Sequence, residues 1–133
     1  MKTHAAIAIS AAALLTLAAT AAGGADSPAK APTQNQCFWT RNVTSFAAPD
    51  DHTVYVRVNS HDVYKFDLMG SCPDVDWNQR LALVSRGGSN ICSGMDAEIV
   101  THATGLGRQR CPVQHMQKLT PEEIAALPKG ARP

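Results

Sequence analysis

The chain has 133 residues, 44% hydrophobic and 17% charged, with 12 Lys and Arg against 11 Asp and Glu and a formal net charge of +1. Its cations are dispersed among acids, whereas a polyanion partner needs a basic stripe that neutralises phosphates. That excludes nucleic acid and anionic membrane surfaces as partners.

Residues Met1-Lys2-Thr3-His4 carry one lysine, Ala5 to Ala19 carry no charge, and Ala19-Thr20-Ala21 is a small-x-small sequence. This order of n-region, h-region and cleavage site predicts a secretory signal peptide over residues 1–22. The apolar run, about fifteen residues, falls short of the roughly twenty that span a bilayer, so no stable membrane insertion is expected. A lipid anchor needs a cysteine directly after the apolar run, and the first cysteine is Cys37. The expected product is therefore soluble, and periplasmic or secreted.

Residues 23–36 (GGADSPAKAPTQNQ) are small and polar and cannot bury enough apolar surface to offset their ordering entropy. They are expected as a flexible lead-in. What remains supports one domain with a modest core, expected over residues 37–128, with 129–133 as a tail.

Phe38 to Phe46 (FWTRNVTSF) is rich in β-branched and aromatic residues and predicts a first strand. Ala48 to His52 is a turn. The clearest signal is Thr53 to Leu68 (TVYVRVNSHDVYKFDL). Apolar and polar residues alternate on both sides of Asn59-Ser60-His61-Asp62, which predicts a β-hairpin. Val54, Val56, Val58, Tyr64, Phe66 and Leu68 form its buried face. Tyr55, Arg57, Lys65 and Asp67 form the outer one, where Tyr55, Arg57 and Lys65 are the candidate binding face.

Arg80 to Ser85 and Ala97 to His102 are two further strands, and Gly105-Leu106-Gly107 is a turn. Gln109 to Gln117 is a last strand, which Pro112 would confine to an edge or a bulge. Thr120-Pro121-Glu122-Glu123 then reads as a capping box with proline at the first helical position. The helix ends at Pro128 and Gly130. So short a helix is marginal alone, so Ile124 and Leu127 should dock on the sheet.

Cys37, Cys72, Cys92 and Cys111 are an even set in a small exported domain, the arithmetic of a disulfide framework. Four cysteines allow three connectivities. The preferred pairing is nested, Cys72 with Cys92 and Cys37 with Cys111, contributing roughly 3 and roughly 4.5 kcal/mol through loop closure.

Several stretches invite a chemical reading. Spacings of twenty or more residues do not suit zinc. Cys92, in GGSNICSGMD, lacks the glycine two residues before it that a nucleophile elbow requires. Asp74-Val75-Asp76-Trp77-Asn78 begins like a calcium loop, but Gln79 and Ser85 stand where glycine and glutamate are needed; a solvated turn is expected. Asp50-Asp51-His52 and His61-Asp62 lie at opposite ends of one strand, roughly 15 to 20 Å apart by strand rise, and are read as turns. His115, Met116, Met69 and Met95 are too scattered for a copper site. No catalytic residue, metal or cofactor is expected.

With Cys37-Phe38, DDHTVYVRV, Cys72-Pro73, ICSGMDAEI and RCPVQHMQKLTPEEIAALP in place, residues 37–128 resemble a family of small exported bacterial proteins, domain of unknown function 6491. The resemblance implies an exported, mainly β domain and supplies no activity. Many members carry a lipid-anchor cysteine near the signal, and this chain has none there.

The expected fold is mainly β (α+β): a small antiparallel curled sheet or open barrel of about five or six strands, a short C-terminal helix and two disulfides. The expected role is that of a non-enzymatic envelope module that binds an envelope protein or small ligand. The alternative is a small periplasmic hydrolase or thiol-redox protein using Cys92 with a histidine.

Overall fold

A computed structural model describes residues 36–133. The expected signal peptide, and all of the lead-in but Gln36, lie outside these residues. Among the described residues eight strands form: β1 (Phe38–Trp39), β2 (Val43–Ala47), β3 (Thr53–Val58), β4 (Asp62–Leu68), β5 (Ala82–Ser85), β6 (Asn90–Ile91), β7 (Ala97–Ala103) and β8 (Gly107–Lys118). One α-helix among the described residues, α1 (Pro121–Ala126), follows. Six strands make one curled antiparallel sheet in the order β2-β3-β4-β8-β7-β5, and β1 and β6 make a separate two-stranded ladder.

The hairpin β3–β4 takes the register its alternation dictates, Val54 opposite Phe66 and Val56 opposite Tyr64. Asn59 makes its turn at φ 54°, a left-handed conformation that asparagine tolerates better than most residues. Val54, Val56, Val58, Tyr64 and Phe66 are at most 2% exposed. Across the hollow of the curl they meet Val75, Ile91, Ile99 and Val113. Phe38 closes this core, with its ring centroid 4.6 Å from that of Tyr64. Burial raises the Tyr64 hydroxyl above its ordinary pKa, against a smaller opposing pull from Lys118.

One expectation about strands is corrected: the stretch Phe38 to Phe46 is not one strand. A 3-10 turn at Thr40–Asn42 splits it, sending β1 to β6 and β2 to the sheet. Of the two settings expected for Pro112, an edge or a bulge, the edge is not taken: β8 is central, and a bulge follows two residues on. Its first half pairs with β7 as far as Pro112, and its second half pairs with β4 from Val113 onward. The ladder shifts by one residue between Val113 and His115, a bulge at Gln114. The missing N–H of Pro112 thus falls where β8 changes partners, which is how a central strand accommodates proline.

The nested disulfide pairing is also corrected. The bonds are Cys37–Cys92 and Cys72–Cys111, with Cα atoms 4.0 and 5.8 Å apart. Phe38 pairs with Ile91 and Trp39 with Asn90, so one step further along the ladder Cys37 faces Cys92. The second bond follows from the hydrogen bond of Met69 N–H to the Pro112 carbonyl, 2.8 Å. That bond brings the chain after β4 beside the middle of β8.

The helix forms as its sequence dictates. The Thr120 hydroxyl accepts the Glu123 N–H at 3.3 Å and the Glu123 carboxylate accepts the Thr120 N–H at 2.7 Å. Ile124 and Leu127 dock, with Ala131 and Leu119, on Val63 and Tyr55 of the outer hairpin face. Residues 129–133, expected as a tail, join this packing. Ala131 is 2% exposed, and the Arg57 guanidinium donates twice to the Pro133 oxygen, at 2.9 and 2.7 Å. Thr120→Ala removes the cap and is expected to cost about 1 kcal/mol, seen as a lower midpoint in urea with an unchanged slope. An unchanged midpoint would mean that docking alone holds the helix.

Candidate functional site

Cys92 is bonded to Cys37, and no cysteine among the described residues is free. The aspartate four residues on is a cap. One Asp96 carboxylate oxygen accepts the Ser93 N–H and hydroxyl at 3.0 Å each and the Cys92 N–H at 3.4 Å. A thiolate at Cys92, which the alternative reading needs, is therefore absent from the oxidised protein. The two bonds differ in access: Cys37 and Cys92 are exposed, whereas Cys72 is 0% and Cys111 8% exposed. An attacking thiolate must reach a sulfur. Stepwise reduction followed by alkylation and mass mapping should therefore label Cys37 and Cys92 before Cys72 and Cys111. The reverse order would contradict the burial of the second bond.

Ser71, Asp51 and His52 converge at one end of the hairpin. The Ser71 hydroxyl donates to one oxygen of the Asp51 carboxylate, and His52 Nε2 lies 3.4 Å from the other. The Ser71 hydrogen bond, with a smaller contribution from His52, holds the Asp51 carboxyl below its ordinary pKa. In an activated-serine relay the imidazole stands between hydroxyl and carboxylate. Here the carboxylate stands in the middle, so the imidazole is not placed to take the hydroxyl proton. The group fastens a turn: Asp50 accepts the His52 N–H at 2.8 Å and the Asp51 carbonyl accepts the Cys72 N–H at 2.8 Å.

His61 and Asp62 lie at the far end of the hairpin, where Asp62 pairs in register with Val58 and its carboxylate meets Lys118 at 2.9 Å. His115 faces Asp67 across β4 and β8, Met116 packs against the core, and Met69 and Met95 are exposed. Among the described residues no group of three or more His, Cys, Asp or Glu could hold a metal ion. No helix among them is long and apolar enough to cross a membrane.

Of the candidate binding face, Tyr55 packs against the α1 cluster and Arg57 holds Pro133. Lys65 pairs with Asp67 at 2.8 Å, a contact that raises its pKa. One acid escaped sequence reading altogether. Glu98 is 9% exposed, 3.9 Å from Arg86 and 3.7 Å from Arg110. Only the pairing of β5, β7 and β8 brings those arginines to it.

The calcium-like stretch is not the loosely solvated turn expected. Val75 is wholly buried in the core. The Asp74 carboxylate accepts the Thr104 N–H at 2.6 Å. Asn78 Nδ2 reaches the Asp74 carbonyl at 2.8 Å, the Thr101 hydroxyl at 2.7 Å and the His102 carbonyl at 2.8 Å. Asp74 takes φ 60° to make this possible. With Cys72 crosslinked to Cys111, residues 72–78 are fixed at both ends. From this rigid loop Trp77 projects with 83% of its surface exposed.

The loop faces the edge of the sheet. β2 is the terminal strand, and among the described residues its outer edge pairs with no other strand. A groove of about 500 Å³ follows that edge, lined on one side by Thr44 to Ala48 and on the other by Val75, Asp76, Asn78 and Gln79, with Gly130 beside them. It runs along one edge of the half-barrel, and Asp76 is the one charged residue among the described residues that line it. Three stretches distant in sequence meet here, so no local pattern could reveal it. The exposed indole within Asp74–Asn78 was the available signal.

A family model matches residues 1–133, under the description "Family of unknown function (DUF6491)". No curated protein and no solved structure matches the chain.

Proposed function

The chain belongs to that family, whose function is unknown, and we propose from its own residues that it is an exported, non-enzymatic binding module of the cell envelope. Two formed disulfides support export, because such bonds persist in oxidising compartments. The observation that carries the binding role is this groove: it is of a size that suits a ligand and lies between an unpaired strand edge and a rigid loop that also bears an exposed indole. An indole left in water forgoes the burial of a large apolar surface. Fixing its loop with a crosslink and four side-chain hydrogen bonds pre-pays the ordering cost of binding there.

Export is tested by intact mass on protein recovered from its native host. The expected species lacks residues 1–22 and is four hydrogens lighter than the reduced chain. A full-length, reduced species ends the export reading. Binding is tested in the same host with a photo-crosslinking residue at Ser45, in the groove, or at the exposed His102 of β7. A discrete adduct is expected from the groove position alone. Equal labelling from both positions, or from neither, removes the groove as the site.

A further inference from the structure

We infer that the groove takes an extended polypeptide segment with a basic side chain, added to the β2 edge as a further antiparallel or parallel strand. This inference rests on the binding-module reading above and names the partner's chemistry. Alternate peptide groups of an edge strand point away from the sheet, a row of donors and acceptors ready for another chain. β2 offers five residues of this kind, Val43–Ala47. Its neighbour across the groove is not a strand but the 75–79 stretch, so the edge groups are flanked and not covered.

The lining separates by chemistry. Phe46 and Val75 offer apolar surface, and Thr44, Ser45, Asn78 and Gln79 offer hydrogen-bonding groups. Asp76 supplies the only charge, and it makes no ion pair within 4.0 Å to another described residue. A partner that leaves this carboxylate without a cation would have to desolvate it uncompensated. Trp77, next in sequence and 83% exposed, lies outside that lining, on the rim of the same loop, and offers the best kind of aromatic surface for a cation. Arg41, 4.8 Å over the Trp39 ring, already makes such a contact elsewhere in this protein. A segment with alternating apolar side chains and a lysine or arginine meets all of these demands at once. An acidic segment meets the wrong charge, and a glycan leaves the row of edge peptide groups unused.

The test uses the oxidised protein and a displayed library of random heptapeptides, counter-selected against bare support only. Enriched sequences should alternate apolar residues with at least one lysine or arginine. A synthetic peptide of the winning sequence should protect alternate amides of β2 from hydrogen exchange at least tenfold. Its affinity should fall at least tenfold on Asp76→Lys and on Trp77→Ala, both exposed changes that leave the unfolding midpoint in place. Absent enrichment, acidic winners, binding indifferent to Asp76→Lys, or unprotected β2 amides would each overturn the inference. So would β2 amides already protected in the free protein, whether by a second copy or by the chain's own residues. Chitotriose added to the same labelled protein separates the two readings. Shifts of the groove resonances with sugar and none with peptide sink the polypeptide inference and leave a binding module. The Ser45 crosslink decides the module itself.

Discussion

Cys72→Ala with Cys111→Ala is expected to remove about 4 kcal/mol or more of stability from the oxidised protein, measured by denaturant unfolding. The bond closes a loop of sequence separation 39, and closing such a loop removes about 4 kcal/mol of unfolded-state entropy in the chain-entropy model. Both sulfurs are buried, so replacing them also empties packed space beside Ile99 and Val113 of the same core. A domain of this size holds about 5 to 15 kcal/mol in total, so this loss is a large fraction of its stability and should appear as a much lower unfolding midpoint. The comparison that makes the prediction sharp is Cys37→Ala with Cys92→Ala. That bond closes the longer loop, separation 55, and by loop entropy alone should matter more by about 0.3 kcal/mol. Its sulfurs are exposed, and it fastens a two-residue ladder at the rim. The buried bond should nevertheless prove the costlier to lose. If the exposed pair costs more, loop length outweighs packing in this fold and the account of Cys72–Cys111 as the central tie fails.

What the sequence could show follows the range over which its signals act. Thr53 to Leu68 declares its hairpin because alternation and turn lie within sixteen contiguous residues. Thr120 and Glu123 declare their helix because the capping box is local. The curled sheet of six strands with a short helix follows from counting such segments. The disulfide pairing was not legible, because it is decided by a ladder of two-residue strands. Asn90-Ile91 carries no period, so nothing in sequence marks β6 as the partner of β1. Pro112 signalled an edge or a bulge, and only the edge was not taken: the rule that removes proline from central strands assumes that both neighbours run past it, and here they divide at it, beside the bulge at Gln114.

Coverage of the outer hairpin face had a faint signal. Val63 and Tyr55 are apolar or aromatic residues on a side otherwise occupied by Arg57, Lys65 and Asp67. Two such residues at outward positions were the imprint of α1 and the 129–131 turn, which now cover them. The groove left no comparable imprint, since its walls come from β2, from the loop after Cys72 and from Gly130. Only an indole in a stretch expected to be solvated stood out.

Gly94→Ala is expected to destabilise the domain by about 3 kcal/mol, at the upper end of what overpacking costs. A Cβ at this position would lie 2.8 Å from the His115 carbonyl carbon and 2.9 Å from the carbonyl carbon and oxygen of Gln114. These are backbone atoms of β8 at its bulge, where the central strand changes partners. They cannot swing aside as a side chain would. The 3-10 turn at Gly94–Asp96 must instead lift from β8, and it is tied to Cys92 on one side and to β7 on the other. Gly87, in the same glycine-rich stretch, meets nothing within 4 Å of a Cβ and needs no left-handed backbone. Gly87→Ala should therefore be neutral, or more stable by up to about 1 kcal/mol through loss of unfolded-state entropy. Unfolding curves of the two variants, taken with both disulfides intact, test the pair together. Equal effects would mean that the contact between the 3-10 turn and β8 is looser than 2.8 Å implies. A large loss confined to Gly94 would show that this glycine seats the Cys92 loop against the bulge of the central strand.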